Sequence, residues 1–351
     1  MRKLMLTAEI SVTICSLALA QTARQPLKGT VERIKVHGAS LEGNLEGDSP
    51  DRDVSIYLPP SYRTSPNRRY PVLYLLHGFT DRDDHWFGGK PNFNVAASFE
   101  ADLDKGSARE MILVMPNAYT RYAGSFYGSS VATGDWETFV TQELVTYIDG
   151  HYRTLTGSAN RGLAGHSMGG YGAVRLAMKH PGVYSSVYAM SACCLTPDIP
   201  TVDTIAKAEA VRTVEDFDKA DFGTKVALGL AAAWSPNPKT APYVDLPRKD
   251  GKPQSFVIAE WYANSPVAML GQYAANLKKL HALALDIGLQ DGLLAENQLL
   301  DRLLSDLSVP HIFETYEGTH TSKIDERLET KVLPYFTKNL SFDAALPSRD
   351  H

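Results

Sequence analysis

The sequence is poor in cysteine, with 3 in 351 residues. That number excludes a small scaffold held together by disulfides and a zinc site built from cysteines. Two of the three, Cys193 and Cys194, are neighbours in the chain, and adjacent cysteines rarely bridge each other because the bond strains the backbone. We therefore interpret them as two buried free thiols, with a redox pair as the alternative.

An excess of one charge is also missing. Lysine and arginine number 35 against 40 aspartates and glutamates, which gives a net charge of −5. This charge balance does not predict a basic surface that would bind nucleic acid or an anionic membrane. The composition, 44% hydrophobic and 21% charged, excludes a disordered or fibrous chain. No metal-ligand spacing and no phosphate-binding glycine loop occur, so we predict neither a metal nor a cofactor.

Long hydrophobic runs are also absent. No apolar run in the sequence reaches the roughly 20 residues that a membrane span needs. The nearest candidate, Ile10 to Ala20, follows the basic residues Arg2 and Lys3 and ends with small residues. This pattern predicts a secretory signal peptide over residues 1–20, and hence a secreted or periplasmic protein. A membrane anchor is disfavoured by the short run, whereas Glu9 leaves a cytosolic N-terminal extension as an alternative.

Short apolar runs that stop at turn residues alternate with helix-like segments. Val72 to Leu76 and Met111 to Met115 are typical of strands buried on both faces, whereas residues 137–149 carry apolar side chains at helical spacing. The alternation predicts a single α/β domain over residues 21–351, with a mainly parallel sheet and helices on both faces. Residues 195–266, rich in proline and aromatics, break the pattern and predict a lid-like insertion over one end of the sheet.

The strongest local signal is the run Gly165-His166-Ser167-Met168-Gly169, between a predicted strand and a predicted helix. A nucleophile elbow needs small residues around its serine because the turn is tight and strained. The helix that starts at Met168 directs N–H groups toward developing negative charge. We predict Ser167 as a nucleophile, the alternative being a glycine-rich turn that contains a serine by chance.

A serine nucleophile needs a base, and the chain has ten histidines. The chain order serine, acid, histidine requires a late one. His320 follows the predicted strand that ends at Tyr316 and is the predicted general base, whereas His311 precedes that strand and falls at its other end. The orienting carboxylate is predicted to be Asp291, just past the preceding strand, with Asp286 inside that strand as the alternative.

An earlier apolar strand closes at His77-Gly78-Phe79. The loop after that strand supplies an oxyanion donor in hydrolases of this architecture, so we predict the N–H groups of Phe79 and Met168 as the oxyanion hole. Three ring-bearing residues in or near these motifs are candidate substrate contacts: Trp86, Tyr127 and His166.

Taken together, these motifs resemble the esterase D-like branch of the α/β-hydrolases, which includes feruloyl and acetylxylan esterases, S-formylglutathione hydrolases and mycobacterial mycolyltransferases. The resemblance covers about residues 50–340 and is weakest over 195–266. It implies the α/β-hydrolase fold and serine-dependent acyl transfer. The matching segments are Val54 to Tyr62, Tyr70 to Gly78, Gly124 to Tyr127, Glu143 to Thr154, Gly165 to Gly170, Gly288 to Asp291 and Glu317 to His320.

The leading hypothesis is an exported serine esterase acting on feruloylated or acetylated carbohydrate. Predicted export disfavours a glutathione thioester, which is a cytosolic substrate. One alternative is an acyltransferase of the mycolyltransferase type, in which a sugar hydroxyl takes the place of water. The other is a non-catalytic saccharide-binding protein on a hydrolase scaffold. The predicted partner is a small-molecule or polysaccharide ester, and the sequence leaves the oligomeric state open.

Overall fold

The computed structural model describes residues 26–343, and the predicted signal peptide, residues 1–20, lies outside them. A central sheet of eight strands organises the fold. Its strands, numbered along the chain, are β1 (Thr30–His37), β2 (Asp51–Leu58), β3 (Val72–Leu76), β4 (Ile112–Pro116), β5 (Arg161–His166), β6 (Ser186–Met190), β7 (Ala282–Gly288) and β8 (Ile312–Tyr316).

The strands lie in the order β1-β2-β4-β3-β5-β6-β7-β8. The pairs β1–β2 and β2–β4 are antiparallel, and every other neighbouring pair is parallel. The predicted mainly parallel sheet is therefore confirmed. The carboxyl ends of β3, β5, β6, β7 and β8 meet at one edge, which is where ligands bind in sheets of this kind.

Helices connect the strands and cover the sheet. The longer ones are α1 (Val95–Lys105), α2 (Leu144–His151), α3 (Met168–Lys179), α4 (Val202–Ala210), α5 (Val214–Lys219), α6 (Phe222–Trp234), α7 (Ser255–Asn264), α8 (Pro266–Leu277), α9 (Leu294–Asp306) and α10 (Leu333–Asn339). Wider π-helical turns lead into α2 (Phe139–Glu143) and into α10 (Leu328–Val332). Within the described part of the chain, no helix combines the length and the apolarity that crossing a bilayer requires.

Alternation along β3 shows how one strand supplies two hydrophobic cores. Val72, Tyr74 and Leu76 pack into a cluster that includes side chains of α2, α3 and α8. Leu73 and Leu75 point to the opposite face and pack with side chains of α1 and α10. All five are fully buried. Because each buried aliphatic side chain contributes about 1.5–3 kcal/mol, burial on both faces fixes the register of this central strand.

The segment 195–266, which the sequence predicted to be a lid-like insertion, is mainly helical, with α4 to α7. Its side chains Phe217, Trp234 and Trp261 belong to the same hydrophobic cluster as one face of the sheet, so the segment packs onto that face. Its helices begin at N-caps that the sequence displays: the side chains of Thr201 and Asp221 each accept the N–H three residues on. A lid-like role for the segment stays a prediction.

Candidate active site

The turn between β5 and α3 holds Ser167 in a strained conformation. Its φ of 58° and ψ of −115° lie outside the regions that ordinary residues favour. Such a position costs about 1–3 kcal/mol and persists only where the surroundings enforce it. The N–H of Ser167 donates to the carbonyl of Met190 at the end of β6, at 3.0 Å. The observed strand, turn and helix match the setting that the Gly-x-Ser-x-Gly motif predicts.

Two glycines permit this turn because backbone atoms crowd around them. A Cβ added at Gly165 would lie 2.2 Å from the carbonyl oxygen of Gly169. A Cβ added at Gly169 would lie 2.0 Å from the carbonyl oxygen of Leu76 in β3. Neither contact is sterically possible without backbone movement. The glycines of the motif therefore let the start of α3 lie directly against β3 and β5.

We expect Gly169→Ala to lower the free energy of unfolding by about 2–4 kcal/mol, because the new methyl group overlaps a backbone carbonyl. Urea denaturation followed by circular dichroism measures this change. Gly150→Ala in α2 and Gly271→Ala in α8 are matched controls, since a Cβ at either position meets nothing within 4 Å. Both controls should gain about 0.5–1 kcal/mol. A Gly169→Ala protein as stable as the wild type would contradict the steric explanation.

Three side chains form a continuous hydrogen-bonded chain at the carboxyl edge of the sheet. Nε2 of His320 lies 2.9 Å from Oγ of Ser167, and Nδ1 of His320 lies 2.8 Å from Oδ2 of Asp291. Asp291 follows β7 and His320 follows β8, so strand ends deliver all three residues to one place. With its proton on Nδ1, the imidazole donates to Asp291 and accepts from the serine hydroxyl.

Hydrogen bonds keep the carboxyl group of Asp291 ionised. The side chain is only 2% exposed, and this burial by itself raises its pKa. The hydrogen bond with His320 and the N–H of Leu293, 3.0 Å from Oδ1, outweigh burial and lower the pKa below its ordinary value. A charged carboxylate at this position is suited to orient the imidazole and to stabilise its protonated form.

The alternative acid, Asp286, has different partners. It is fully buried in β7, and its Oδ2 accepts hydrogen bonds from Nε of Arg327 and from the hydroxyl of Tyr188, both at 2.8 Å. Of the two aspartates, Asp291 is therefore the one that contacts His320. Asp286 instead ties the sheet to the helical segment Ile324–Arg327.

The two predicted oxyanion donors belong to backbone segments next to Ser167. Met168 is the first residue of α3, so its N–H has no acceptor within the helix. The backbone next to Phe79 also passes close to the serine, since a Cβ added at Gly78 would lie 3.4 Å from Cβ of Ser167. The oxyanion hole of Phe79 and Met168 stays a prediction.

His77 sets the direction of the Phe79 N–H. Its Nε2 accepts the N–H of Ala118 at 2.8 Å, which places the ring proton on Nδ1, and Nδ1 donates to the carbonyl of Gly78 at 2.8 Å. The C=O and N–H of a trans peptide point in opposite directions. The bond to Gly78 therefore turns the Phe79 N–H away from the His77 ring.

The three predicted substrate contacts do not line the cavity at Ser167. Trp86 is buried with its ring 5.6 Å from that of Phe93. Tyr127 is fully buried, and its hydroxyl donates to a backbone carbonyl. His166 is buried beneath His320, with Nε2 2.8 Å from the His320 carbonyl oxygen and the two rings 4.7 Å apart. These placements do not favour direct contact with substrate, and His166 instead supports the position of His320.

An apolar cavity of about 670 Å³ adjoins Ser167, Asp291 and His320. Cys193 and Cys194 also line it; both thiols are free, and their sulfur atoms lie 2.8 Å apart. Helix α6 forms one wall through residues at every fourth position, a helical spacing visible in the sequence. The apolar wall consists mainly of Phe79, Phe126, Phe222, Val226, Leu230 and Trp234. A second cavity, of about 740 Å³, is lined by residues 206–257 and contains no residue of this hydrogen-bonded chain.

We expect the two buried histidines His77 and His166 to destabilise the protein as the pH falls from about 6.5 to about 4. Burial lowers the pKa of His77 to about 4 and that of His166 to about 3. In this window the unfolded chain binds protons at both histidines, whose ordinary pKa is about 6.5, and the native protein does not. Their titration should therefore contribute a fall of up to about 2.7 kcal/mol per pH unit in the free energy of unfolding, which proton uptake by native Glu296, whose pKa is raised to about 7, partly opposes.

Urea denaturation at pH 7, 5.5 and 4.5 measures this dependence. His166→Gln should make the fall smaller by up to about 1.4 kcal/mol per pH unit, because one of the two buried histidines then no longer titrates. His281→Gln, at an exposed position, is the control and should keep the wild-type slope. An unchanged slope in His166→Gln would contradict the prediction.

Comparisons with known proteins bear on the family and the fold of the chain. A sequence profile of the esterase family, described as "Putative esterase", matches residues 49–335. An esterase of Mycobacterium tuberculosis is 36% identical over 144 residues, which are 39% of this chain. The chain spans only 28% of the length of that relative.

Solved structures share the fold at low sequence identity. A ferulic acid esterase superposes with a TM-score of 0.64 at 23% identity, covering 90% of this chain and 100% of its own. An S-formylglutathione hydrolase from Agrobacterium tumefaciens superposes with a TM-score of 0.58 at 16% identity, covering 90% and 98%. The predicted α/β-hydrolase fold is thus confirmed, and the match over residues 49–335 shows that the chain belongs to the esterase family.

Proposed function

We propose that this protein is an exported serine carboxylic ester hydrolase. The observation that carries the proposal is the hydrogen-bonded chain from Ser167 through His320 to Asp291, beside a large apolar cavity. Membership of the esterase family supports ester hydrolysis as the reaction class. Export is inferred from residues 1–20 alone, and N-terminal sequencing of the secreted protein should begin at Gln21.

In the proposed mechanism, Oγ of Ser167 attacks the ester carbonyl while Nε2 of His320 takes its proton. The carbonyl oxygen becomes an oxyanion that accepts hydrogen bonds from the N–H groups of Phe79 and Met168, each worth about 3–4 kcal/mol in the transition state. His320 then returns the proton to the leaving alcohol. Water attacks the acyl-serine with the same histidine as base, and the acid leaves.

Asp291 holds the imidazole in the tautomer that accepts from serine, and its charge stabilises the imidazolium that forms. His77 acts on the oxyanion side, because its bond to the Gly78 carbonyl directs the Phe79 N–H. Both side chains therefore position groups before the substrate arrives. Such preorganisation is the main source of transition-state stabilisation in acyl transfer.

We propose feruloylated or acetylated carbohydrate esters as substrates. An aromatic acyl group suits a cavity walled by Phe79, Phe126 and Trp234, because offset and edge-to-face ring contacts are favourable. The structural similarity to a ferulic acid esterase is in keeping with this class. Acetyl esters leave most of the cavity unfilled, so the aryl ester is the first substrate to test.

One panel of assays tests the function. The substrates are p-nitrophenyl acetate, methyl ferulate and acetylated xylan, each with and without a sugar acceptor, and Ser167→Ala protein is the blank. Release of acid that depends on Ser167 supports the proposal. Transfer to the acceptor in excess of hydrolysis would replace it with the acyltransferase. Saccharide binding without turnover of any ester would replace it with a non-catalytic binding protein.

A further inference from the structure

Glu296, in the first turn of α9, holds a carboxyl group against the cavity that Ser167 lines. One oxygen, Oε2, lies 2.9 Å from the N–H of Leu195 and 3.3 Å from the N–H of Thr196, and the Thr196 hydroxyl lies 3.4 Å away. These bonds anchor the chain that follows β6. Among the described residues, Oε1 has no hydrogen-bond partner, and it is not sealed from solvent. Oε1 is therefore available to a molecule in the cavity.

No basic side chain neutralises this carboxyl group. The residues that line the cavity, within the part of the chain the structure describes, include Asp198, Asp291 and Glu296 but neither lysine nor arginine. Asp291 is already paired with His320. Burial, with a smaller contribution from the nearby Asp198, raises the pKa of Glu296 to about 7, although its backbone donors act in the opposite direction.

A carboxyl oxygen in such surroundings has a strong preference among ligands. It gains a charge-assisted hydrogen bond from a hydroxyl donor, which is stronger than a bond between neutral groups. It repels a second carboxylate, since among the described residues no lysine or arginine lines the cavity to compensate the two negative charges. An apolar group leaves Oε1 unpaired. The anchoring of Leu195 and Thr196 uses Oε2 and does not account for the unpaired Oε1.

We propose that Glu296 is a specificity-determining residue that selects acyl groups carrying a hydroxyl and rejects acyl groups carrying a carboxylate. The assignment rests on the proposed function, because it requires the acyl group to occupy the cavity beside Ser167. The ligand class is a neutral hydroxyaryl or hydroxyalkyl ester. The unpaired oxygen, the apolar walls and the missing cation together distinguish this role from a purely structural anchor.

Three esters that differ in one substituent test the assignment. They are methyl 3-phenylpropanoate and its derivatives with a 4-hydroxyl or a 4-carboxylate group, assayed at pH 8. In the wild type, we expect kcat/KM to be about tenfold higher for the hydroxyl ester, and about tenfold lower for the carboxylate ester, than for the unsubstituted ester. The three substrates share the same reacting ester group. The ratios of their kcat/KM values therefore measure the effect of the distant 4-substituent.

Glu296→Gln keeps a carbonyl oxygen that accepts from Leu195 and Thr196 but removes the charge. We expect its hydroxyl preference to fall about tenfold and its rejection of the carboxylate ester to weaken about tenfold, each relative to the unsubstituted ester. Changes in opposite directions cannot come from loss of folding or damage to the triad. Glu215→Gln, on the exposed surface of α5, is the control and should keep all three ratios.

Each result bears on the proposal. The two opposite changes in Glu296→Gln support it. Wild-type ratios near one, or ratios unchanged in Glu296→Gln while all esters are still hydrolysed, overturn the assignment and leave the proposed function standing. Absence of Ser167-dependent hydrolysis of every ester, including p-nitrophenyl acetate, overturns the proposed function and this assignment with it.

Discussion

Ser167→Ala protein is expected to hydrolyse p-nitrophenyl acetate with a kcat at least about 10⁴-fold below that of the wild type. The substitution removes the oxygen that forms the acyl bond and leaves His320 and the two oxyanion donors in place. Because alanine has the same restricted backbone as serine, the turn at φ 58° stays as strained and as well supported as before. The residual rate, about 10³–10⁴-fold above that of the uncatalysed reaction in water, would come from the oxyanion hole and substrate binding.

Two measurements attribute the loss to the hydroxyl group. The wild type should take up one equivalent of a fluorophosphonate probe, and Ser167→Ala should take up none. Ser305→Ala, at an exposed position of α9, is the matched control and should retain the wild-type rate and labelling. A Ser167→Ala protein that hydrolyses esters at the wild-type rate removes Ser167 from the mechanism and contradicts the proposed function.

The serine turn was predictable from the sequence because backbone sterics impose its residue types. Gly165 and Gly169 face backbone carbonyls at distances that exclude a side chain. The two glycines of the motif are therefore required by the local backbone structure. The histidine was predictable for a topological reason. His320 follows an apolar strand, and parallel strands bring their carboxyl ends to one edge. Local sterics and strand topology therefore suffice to predict where both residues lie.

Contacts between distant parts of the chain were not predictable. Asp286 and Asp291 lie five positions apart, and the sequence alone left both open as the acid. The choice depends on Arg327, far along the chain, which binds Asp286 in the sheet. Trp86 and Tyr127 were predicted to contact substrate because they lie near motifs in the sequence, but packing against other elements buries them. Burial of this kind depends on tertiary neighbours that periodicity does not reveal.

The segment 195–266 illustrates a different difficulty. Its prolines and aromatics break the alternation of strands and helices in the sequence, yet α4 to α7 occupy much of it. The capping residues Thr201 and Asp221 and the four-residue apolar spacing along α6 are visible in the sequence, but they do not tell which surface the helices cover. Only the structure shows that α6 forms a wall of the cavity and that Glu296 lies beside it.

The two candidate acids provide a matched pair of substitutions with contrasting expected effects. Asn at position 291 can donate its amide N–H to Nδ1 of His320, which leaves the ring proton on Nε2, facing Ser167. The imidazole then cannot accept the serine proton, and kcat should fall about 10⁴-fold. The fold should persist, because an amide fills the same space and still accepts from the Leu293 N–H. Ester hydrolysis and urea denaturation of the same preparation measure both quantities.

Asp286→Asn should have the opposite pattern of effects, with lower stability and nearly unchanged activity. The guanidinium of Arg327 is 7% exposed and loses its charged partner in β7, although Glu314 still lies 2.7 Å from it. We expect the free energy of unfolding to fall by about 1–3 kcal/mol, with kcat within about threefold of the wild type. The side chain of Asp286 takes no part in the hydrogen bonds that join Ser167, His320 and Asp291. The substitution should therefore leave the geometry of these three side chains unchanged. If Asp286→Asn lost activity as severely as Asp291→Asn while remaining fully stable, the assignment of the acid would be reversed.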